Sequence, residues 1–234
     1  MHNNKVTVSN QLIRASYTLS ITEKRLLLCF ISKIPPSTEV ESTTLQKLDI
    51  RKYAALFGLS PKHTLADIKK ALITLPARTV YLRREEPFKD LVFNWISKET
   101  VFLDDGYTLG IKWSEEVISY ISQLNGYFLS YKLDEIKNLR SFYALRLYEF
   151  IRCEIGEKPK DIPYITVEDI RFMLAIDDKK HATTGNLTNS LIKPAIKAIN
   201  RDTSMAVELV SYKKAREIIG FRFKVTKVKE VIVQ

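Results

Sequence analysis

Leu48-Asp49-Ile50-Arg51-Lys52-Tyr53-Ala54-Ala55-Leu56-Phe57-Gly58-Leu59-Ser60-Pro61 is the stretch on which the fold turns. Within it Ile50, Tyr53, Ala54 and Phe57 recur at i, i+3, i+4 and i+7, the spacing that gathers apolar side chains on one face of an α-helix. The reading predicts a helix over Leu48 to Phe57, with Gly58 as its stop, because glycine takes the left-handed conformation that ends helices at no steric cost. Ser60 and Pro61 then offer an N-cap and a proline in a first turn, where a missing N–H does no harm. Leu65, Ile68, Leu72 and Leu75 mark the apolar face of the next helix, and Lys62, Lys69 and Lys70 lie on its other face. Two helices joined by so short a turn predict a helix-turn-helix.

Working outward, Ser20-Ile21-Thr22-Glu23 has the spacing of a capping box and opens a helix predicted over Glu23 to Ile34, stopped by Pro35-Pro36. After Pro76 the period changes, and Thr79 to Arg83, Leu91 to Lys98 and Tyr107 to Trp113 read as strands, the last two joined by Asp104-Asp105-Gly106. Helix, helix, turn, helix and β-ribbon is the order of a winged helix-turn-helix, whose last helix enters a DNA groove while the ribbon touches the backbone beside it.

The second half repeats that order. Leu139 to Ile155 reads as a long helix stopped by Gly156 and Pro159, and Thr166-Val167-Glu168-Asp169 as a capping-box variant opening a helix through Leu174. A polar turn from Asp177 to Gly185 leads to a third helix near Leu187 to Asn200. A hairpin of Met205 to Val210 and Ile218 to Val225 follows, turning around Lys213-Lys214-Ala215-Arg216. Leu48-Asp49-Ile50-Arg51 answers Glu168-Asp169-Ile170-Arg171, and Ile68-Lys69-Lys70-Ala71-Leu72 answers Ile192-Lys193-Pro194-Ala195-Ile196. The expected class is therefore α+β, with two tandem winged helix-turn-helix domains over 1–125 and 126–234. Trp95 and Trp113 are expected in the core of the first domain or in a dimer interface.

Composition agrees and narrows the partners. With 234 residues, 45% of them hydrophobic, and only 7 Gly and 8 Pro, the chain has material for two cores and little for disorder. The formal charge of +10, spread over both halves, favours a polyanionic partner. The apolar run Leu26 to Ile31 is far shorter than the roughly 18 residues of a membrane span, so no membrane partner is expected. Met1 to Asn10 lacks the apolar stretch of a secretory signal, and Cys29 and Cys153 sit in apolar helical surroundings, so a cytoplasmic protein is expected. His2, His63 and His181 are too far apart to form a paired-histidine metal site. No Gly-x-x-x-x-Gly-Lys-Ser/Thr loop is present to cradle phosphates, nor a Gly-x-Ser-x-Gly nucleophile. No catalysis, cofactor or metal is expected, and any duplex opening must come from binding energy.

The opening Val8-Ser9-Asn10-Gln11-Leu12-Ile13-Arg14-Ala15-Ser16-Tyr17-Thr18-Leu19-Ser20, running into Glu23-Lys24-Arg25-Leu26-Leu27-Leu28, closely resembles the start of replication initiators from iteron-containing bacterial plasmids. Leu191-Ile192-Lys193-Pro194-Ala195-Ile196-Lys197-Ala198-Ile199-Asn200 resembles that family's second recognition helix, and Lys213-Lys214-Ala215-Arg216 to Phe223 its second wing. The similarity spans roughly residues 5 to 226. It implies a protein of two winged-helix domains that binds short directly repeated sites in double-stranded origin DNA as a monomer and opens the adjacent AT-rich duplex. It also implies partners in the host replication initiator and the replicative helicase. A homodimer in equilibrium with monomer, formed through the first domain, would repress the protein's own promoter, and the second domain would be the main reader of the repeats. Many relatives carry arginines near Asn189 and Ser190, so no relative's site preference transfers.

Candidate DNA contacts follow from placement beside the two recognition helices. Basic side chains there neutralise phosphates and release counterions. In the second domain Lys193, Lys197 and Arg201 form one helical stripe, and Lys213, Lys214 and Arg216 crowd a ribbon tip that projects from the core. Asn186, Thr188, Asn189 and Ser190 are the candidates to read base edges, although Thr188 or Asn186 must also cap the helix. In the first domain Lys62, His63, Thr64, Lys69 and Lys70 hold the corresponding positions, with Arg78, Arg83 and Arg84 near the ribbon. The alternative reading is a sequence-specific transcriptional regulator with the same tandem architecture, and a further one is an interaction scaffold whose basic charge is incidental.

Overall fold

A computed structural model of the chain describes residues 4–84, 89–103, 105–156, 162, 164–177, 181 and 183–228. Asp104, Pro159 and most of the 178–182 turn lie outside the described residues. The chain divides into two units, Met1–Lys137 and Asn138–Gln234. The expected boundary near residue 125 is thus corrected by about a dozen residues. A strand at Phe128–Lys132 pairs antiparallel with the first strand, Lys5–Ser9, which holds it in the first unit.

The first unit runs β1 (Lys5–Ser9), α1 (Asn10–Arg14), α2 (Ile21–Ile31), β2 (Gln46–Asp49), α3 (Ile50–Leu56), α4 (Pro61–Thr74), β3 (Thr79–Leu82), β4 (Leu91–Asn94), β5 (Ile96–Phe102), β6 (Thr108–Trp113), α5 (Glu115–Ile118) and β7 (Phe128–Lys132). The predicted capping box opens α2: Ser20 Oγ accepts the Glu23 N–H at 3.1 Å, and Glu23 accepts the Ser20 N–H in return. The helix ends at Ile31, before the prolines, because Lys33 and Ile34 already bond three residues back in a tightened turn. Glu23 through Ile31 are all buried, which makes α2 the centre of this unit.

The helix-turn-helix follows as predicted in kind. Leu48 belongs to a strand rather than the helix, so α3 starts at Ile50 under an Asp49 cap whose carboxylate accepts the Arg51 N–H at 2.8 Å. Gly58 adopts φ +62, and the bonds Leu59 N to Ala54 O and Gly58 N to Ala55 O close α3. Pro61 takes the first position of α4, while the Ser60 side chain makes no cap bond. Ile68, Leu72 and Leu75 point inward, with Leu65 half-buried. The strand read over Leu91 to Lys98 is in fact two, separated at Trp95. β3 and β4 form their own two-stranded sheet, while β2, β6 and β5 form another. Trp95 and Trp113 are each 1% exposed, edge-on to Tyr17 at 4.9 Å and Phe30 at 6.4 Å between ring centroids. They fill the core, and neither is available to an interface.

The second unit runs α6 (Phe142–Ile155), β8 (Ile165–Thr166), α7 (Val167–Met173), α8 (Thr184–Leu187), a π-helical turn (Thr188–Ile192), α9 (Lys193–Asp202), β9 (Met205–Lys214) and β10 (Glu217–Val228). Thr166 caps α7 by accepting the Asp169 N–H at 3.0 Å. The sheet order β8-β10-β9 repeats β2-β6-β5: in each unit a short strand precedes the first helix of the pair and lies beside the last strand of the hairpin. This is a tandem winged helix-turn-helix protein. The caps align Asp49 with Thr166, three residues from the expected match of Asp49 to Asp169. The second match holds in burial, since Ile68, Ala71 and Leu72 face inward as do Ile192, Ala195 and Ile196. Among the described residues no helix is long and apolar enough to cross a membrane. Cys29 is buried, and burial pushes its thiol up to about 12, which leaves it inert.

Candidate nucleic-acid interface

The second recognition helix has two contrasting faces. Leu187, Leu191, Ile192, Ala195, Ile196 and Ile199 are buried, and α9 packs on α6 and β9. Asn186, Asn189, Ser190, Lys193, Lys197 and Arg201 are exposed. Pro194 sits inside the helical run, directly after a turn in which Lys193 N bonds Thr188 O, five residues back. Widening the turn relieves the clash between a proline ring and the carbonyl four residues earlier, so the helix passes through the proline without a break.

The same turn rearranges the polar residues. Thr188 is 3% exposed, its hydroxyl donating to Thr184 O at 2.7 Å, so it packs inward and does not read bases. The cap is neither Thr188 nor Asn186 but Thr183, which accepts the Asn186 N–H at 3.1 Å. Ser190 Oγ donates to Asn186 O and lies 3.0 Å from His181 Nδ1. Lys193 Nζ donates to Asn189 Oδ1 at 2.9 Å, presenting that pair as one unit. Arg201 is exposed but forked onto Asp202 at 2.6 and 2.7 Å, and its guanidinium holds that carboxyl below the usual carboxylate range. Part of its charge is thereby neutralised before any ligand arrives.

Beside this helix stands the β9–β10 hairpin, turned at Ala215 with φ +54, and Lys213, Lys214 and Arg216 are exposed at its tip. Two devices missed by the sequence reading hold it. Asn200 donates Nδ2 to Val207 O at 2.9 Å and accepts the Val207 N–H at 2.7 Å, clamping the helix end to the hairpin. The Tyr164 hydroxyl donates to Ile219 O at 2.9 Å. Its ring stands edge-on to Tyr212, over which Arg222 also lies at 5.5 Å. No local pattern announces either, because each partner is set by the strand register. Gly220 makes the second possible: a Cβ there would overlap the Tyr164 ring and lie 2.6 Å from the Ile165 carbonyl oxygen. Gly220→Ala is expected to cost about 1–3 kcal/mol in thermal or denaturant unfolding. A wild-type melting curve would show that the Tyr164 ring and the Ile165 backbone both shift aside at no cost.

In the first unit α4 exposes Lys62, Lys69 and Lys70. Lys69 Nζ lies 5.7 Å from the Phe102 ring of β5, so the helix runs beside the β5–β6 ribbon. Thr64 is 3% exposed on the inward face and is withdrawn as a DNA contact. Arg78 donates Nε to the fully buried Glu23 at 2.9 Å, which makes it a core anchor. Arg83 and Arg84 are exposed, but they follow β3 in the β3–β4 sheet and not the wing. The wing turn itself holds Asp105, which accepts the Tyr107 and Thr108 N–H groups and the Thr108 hydroxyl. Those bonds keep its carboxyl below the usual range, and Arg51 stands 3.6 Å away. The two wings therefore differ: one tip is basic, while the other turns on an acidic residue, Asp105, held by backbone N–H groups. Among the described residues no group of three His, Cys, Asp or Glu is placed to hold a metal.

Residues 5–152 match the family described as initiator replication protein, WH1, and residues 166–225 match initiator Rep protein, WH2. A curated replication initiation protein from Escherichia coli is 26% identical over 89% of this chain, which spans 65% of that protein's length. An uncharacterized 27.6 kDa protein from the same organism is 25% identical over 86% of this chain and 87% of its own. Among solved structures, the Pi initiator protein in complex with iteron DNA has the same fold, with a TM-score of 0.80 at 22% identity over 98% of this chain and 99% of that one. With both winged-helix modules matched in order, the chain belongs to the family of initiator replication proteins.

Proposed function

We propose that this chain initiates plasmid replication by binding repeated sites, iterons, in double-stranded origin DNA, one recognition helix from each module entering a major groove. The observation that carries this reading is the second module's polar helix face, Asn186 to Arg201, flanked by a hairpin with Lys213, Lys214 and Arg216 at its tip. A convex helix with a projecting basic arm matches a groove and its phosphate rim, and the family membership and the iteron complex of the Pi initiator support the same partner. Lys62, Lys69, Lys70, Lys193, Lys197, Lys213, Lys214 and Arg216 serve as phosphate contacts, with lesser shares for Arg83, Arg84 and Arg201. Asn186, Asn189 and Ser190 read base edges.

Binding energy then opens the adjacent AT-rich duplex, and the opened complex recruits the host initiator and the replicative helicase. A dimer formed through the first module represses the protein's own promoter. The decisive experiment is replication itself: a plasmid carrying this gene and its flanking repeats should persist in a host that cannot otherwise copy it. Persistent repression of a promoter without replication would instead mark a transcriptional regulator.

One mutational test bears on the wing. Lys213→Ala with Arg216→Ala should weaken binding about equally across sequences and flatten the slope of log affinity against log salt by about 2, one phosphate per cation. A changed sequence preference in a selection experiment would mean that the wing reads bases.

A further inference from the structure

On the reading that α4 enters a major groove, we propose that Ile73, with Ala66 beside it, reads thymine methyl groups, so that the first module selects a thymine-bearing half of the site by apolar contact. The geometry comes from helical phase. Ile68, Ala71, Leu72 and Leu75 are buried; Ala66 and Ile73 fall nearest the opposite side of the helix, in a row with Lys62 and Lys69 at i, i+4, i+7 and i+11. All four are exposed, and Ile73 is 81% exposed, a larger fraction than Leu59, Phe102 or any other exposed apolar residue of the recognition-helix region. Lys62 and Lys69 border this strip on one side and Lys70 on the other.

A lone exposed isoleucine asks for no explanation. An isoleucine at the midline of a helix whose rims are lysines is different, since lysines reach the phosphates while the midline meets the groove floor. There the thymine C5-methyl is the one apolar group a base pair offers, and side chains such as alanine recognise it.

The second module supports this by contrast. In the register set by Ile68 and Ile192, Lys62, Ala66, Lys69 and Ile73 correspond to Asn186, Ser190, Lys193 and Lys197. Where α8, the π turn and α9 offer hydrogen-bonding groups at every one of these positions, α4 offers a methyl and a butyl group at two of them. Equivalent helices on one fold are thus equipped to read different chemistry.

The test uses the intact chain and the duplex it selects from a random pool. In that duplex each thymine is replaced in turn by deoxyuridine, which deletes only the methyl and keeps the pairing. Affinity should fall about 3- to 10-fold at one or two positions in the half protected by the first module. Ile73→Ala should lose a similar amount on the thymine duplex and nothing further on the deoxyuridine duplex at that position, with Ile73→Val between them. Losses that simply multiply, or a flat deoxyuridine scan, would overturn the proposal while leaving DNA binding intact. A dimerisation change with no such coupling would also overturn it and assign Ile73 to a second copy of the chain. Failure to select any duplex would sink the proposed function itself.

Discussion

Glu149→Ala, with Arg146 retained, should destabilise the second unit by about 3–5 kcal/mol, a large share of a typical domain's 5–15 kcal/mol margin. Both side chains lie within α6 at 0% and 1% exposure, with the nearest charged atoms 3.9 Å apart. Arg146 also donates to Met173 O at 2.8 Å, tying α6 to the last residue of α7. Removing Glu149 takes away a carboxylate 3.9 Å from a guanidinium that is 0% exposed, where a charge is poorly hydrated. The converse experiment separates charge from packing. Arg146→Met with Glu149→Leu removes both desolvation penalties together and should cost much less than Glu149→Ala alone. Denaturant unfolding of the intact chain reads both. A double variant as unstable as the single one would assign the loss to the Met173 bond and to shape.

The same pair shows where sequence reading stops. The apolar stripe of 142–151 is legible as core because its period is local, but nothing in the spacing says that Arg146 and Glu149 turn inward with it. What was legible were features closed within a few residues: the Ser20–Glu23 box, the Gly58 stop, the Thr166 cap. What was not legible depends on distant partners. β7 belongs to the first unit only because β1, more than a hundred residues earlier, pairs with it. The β3–β4 hairpin is hidden because Leu91 to Lys98 reads as one unbroken strand until Trp95 leaves the ladder for the core.

The candidate interface divides along the same line. Helical phase placed Lys62, Lys69, Lys70, Lys193 and Lys197 correctly on the surface. The π turn adds a residue to the helix just where phase was needed to choose between Thr188 and Asn189, and it chose against Thr188. Charge alone could not tell a phosphate contact from an ion-pair partner, which is why Arg78 and Arg201 looked like the other cations until Glu23 and Asp202 were seen beside them.

Arg78 provides the last test, because its two possible roles predict opposite signatures. Glu23 is fully buried, and its carboxylate accepts from the Ser20 N–H, the Thr74 hydroxyl at 2.6 Å and Arg78 Nε at 2.9 Å. Burial by itself would push its pKa up. The hydrogen bonds outweigh that and hold it below the ordinary value. A carboxyl depressed in the folded state stabilises the fold fully above its unfolded pKa, near about 4.3, and loses that contribution as pH falls through the folded value. Arg78→Ala should therefore cost about 2–4 kcal/mol at pH 7, where the carboxylate is left buried with two donors. The difference from wild type should shrink as acid protonates Glu23 in both proteins. The salt slope of DNA binding should not change, whereas loss of a phosphate contact would flatten it by about 1. A stability gap independent of pH, together with a flattened slope, would return Arg78 to the DNA-binding surface and leave Glu23 to be held by Ser20 and Thr74.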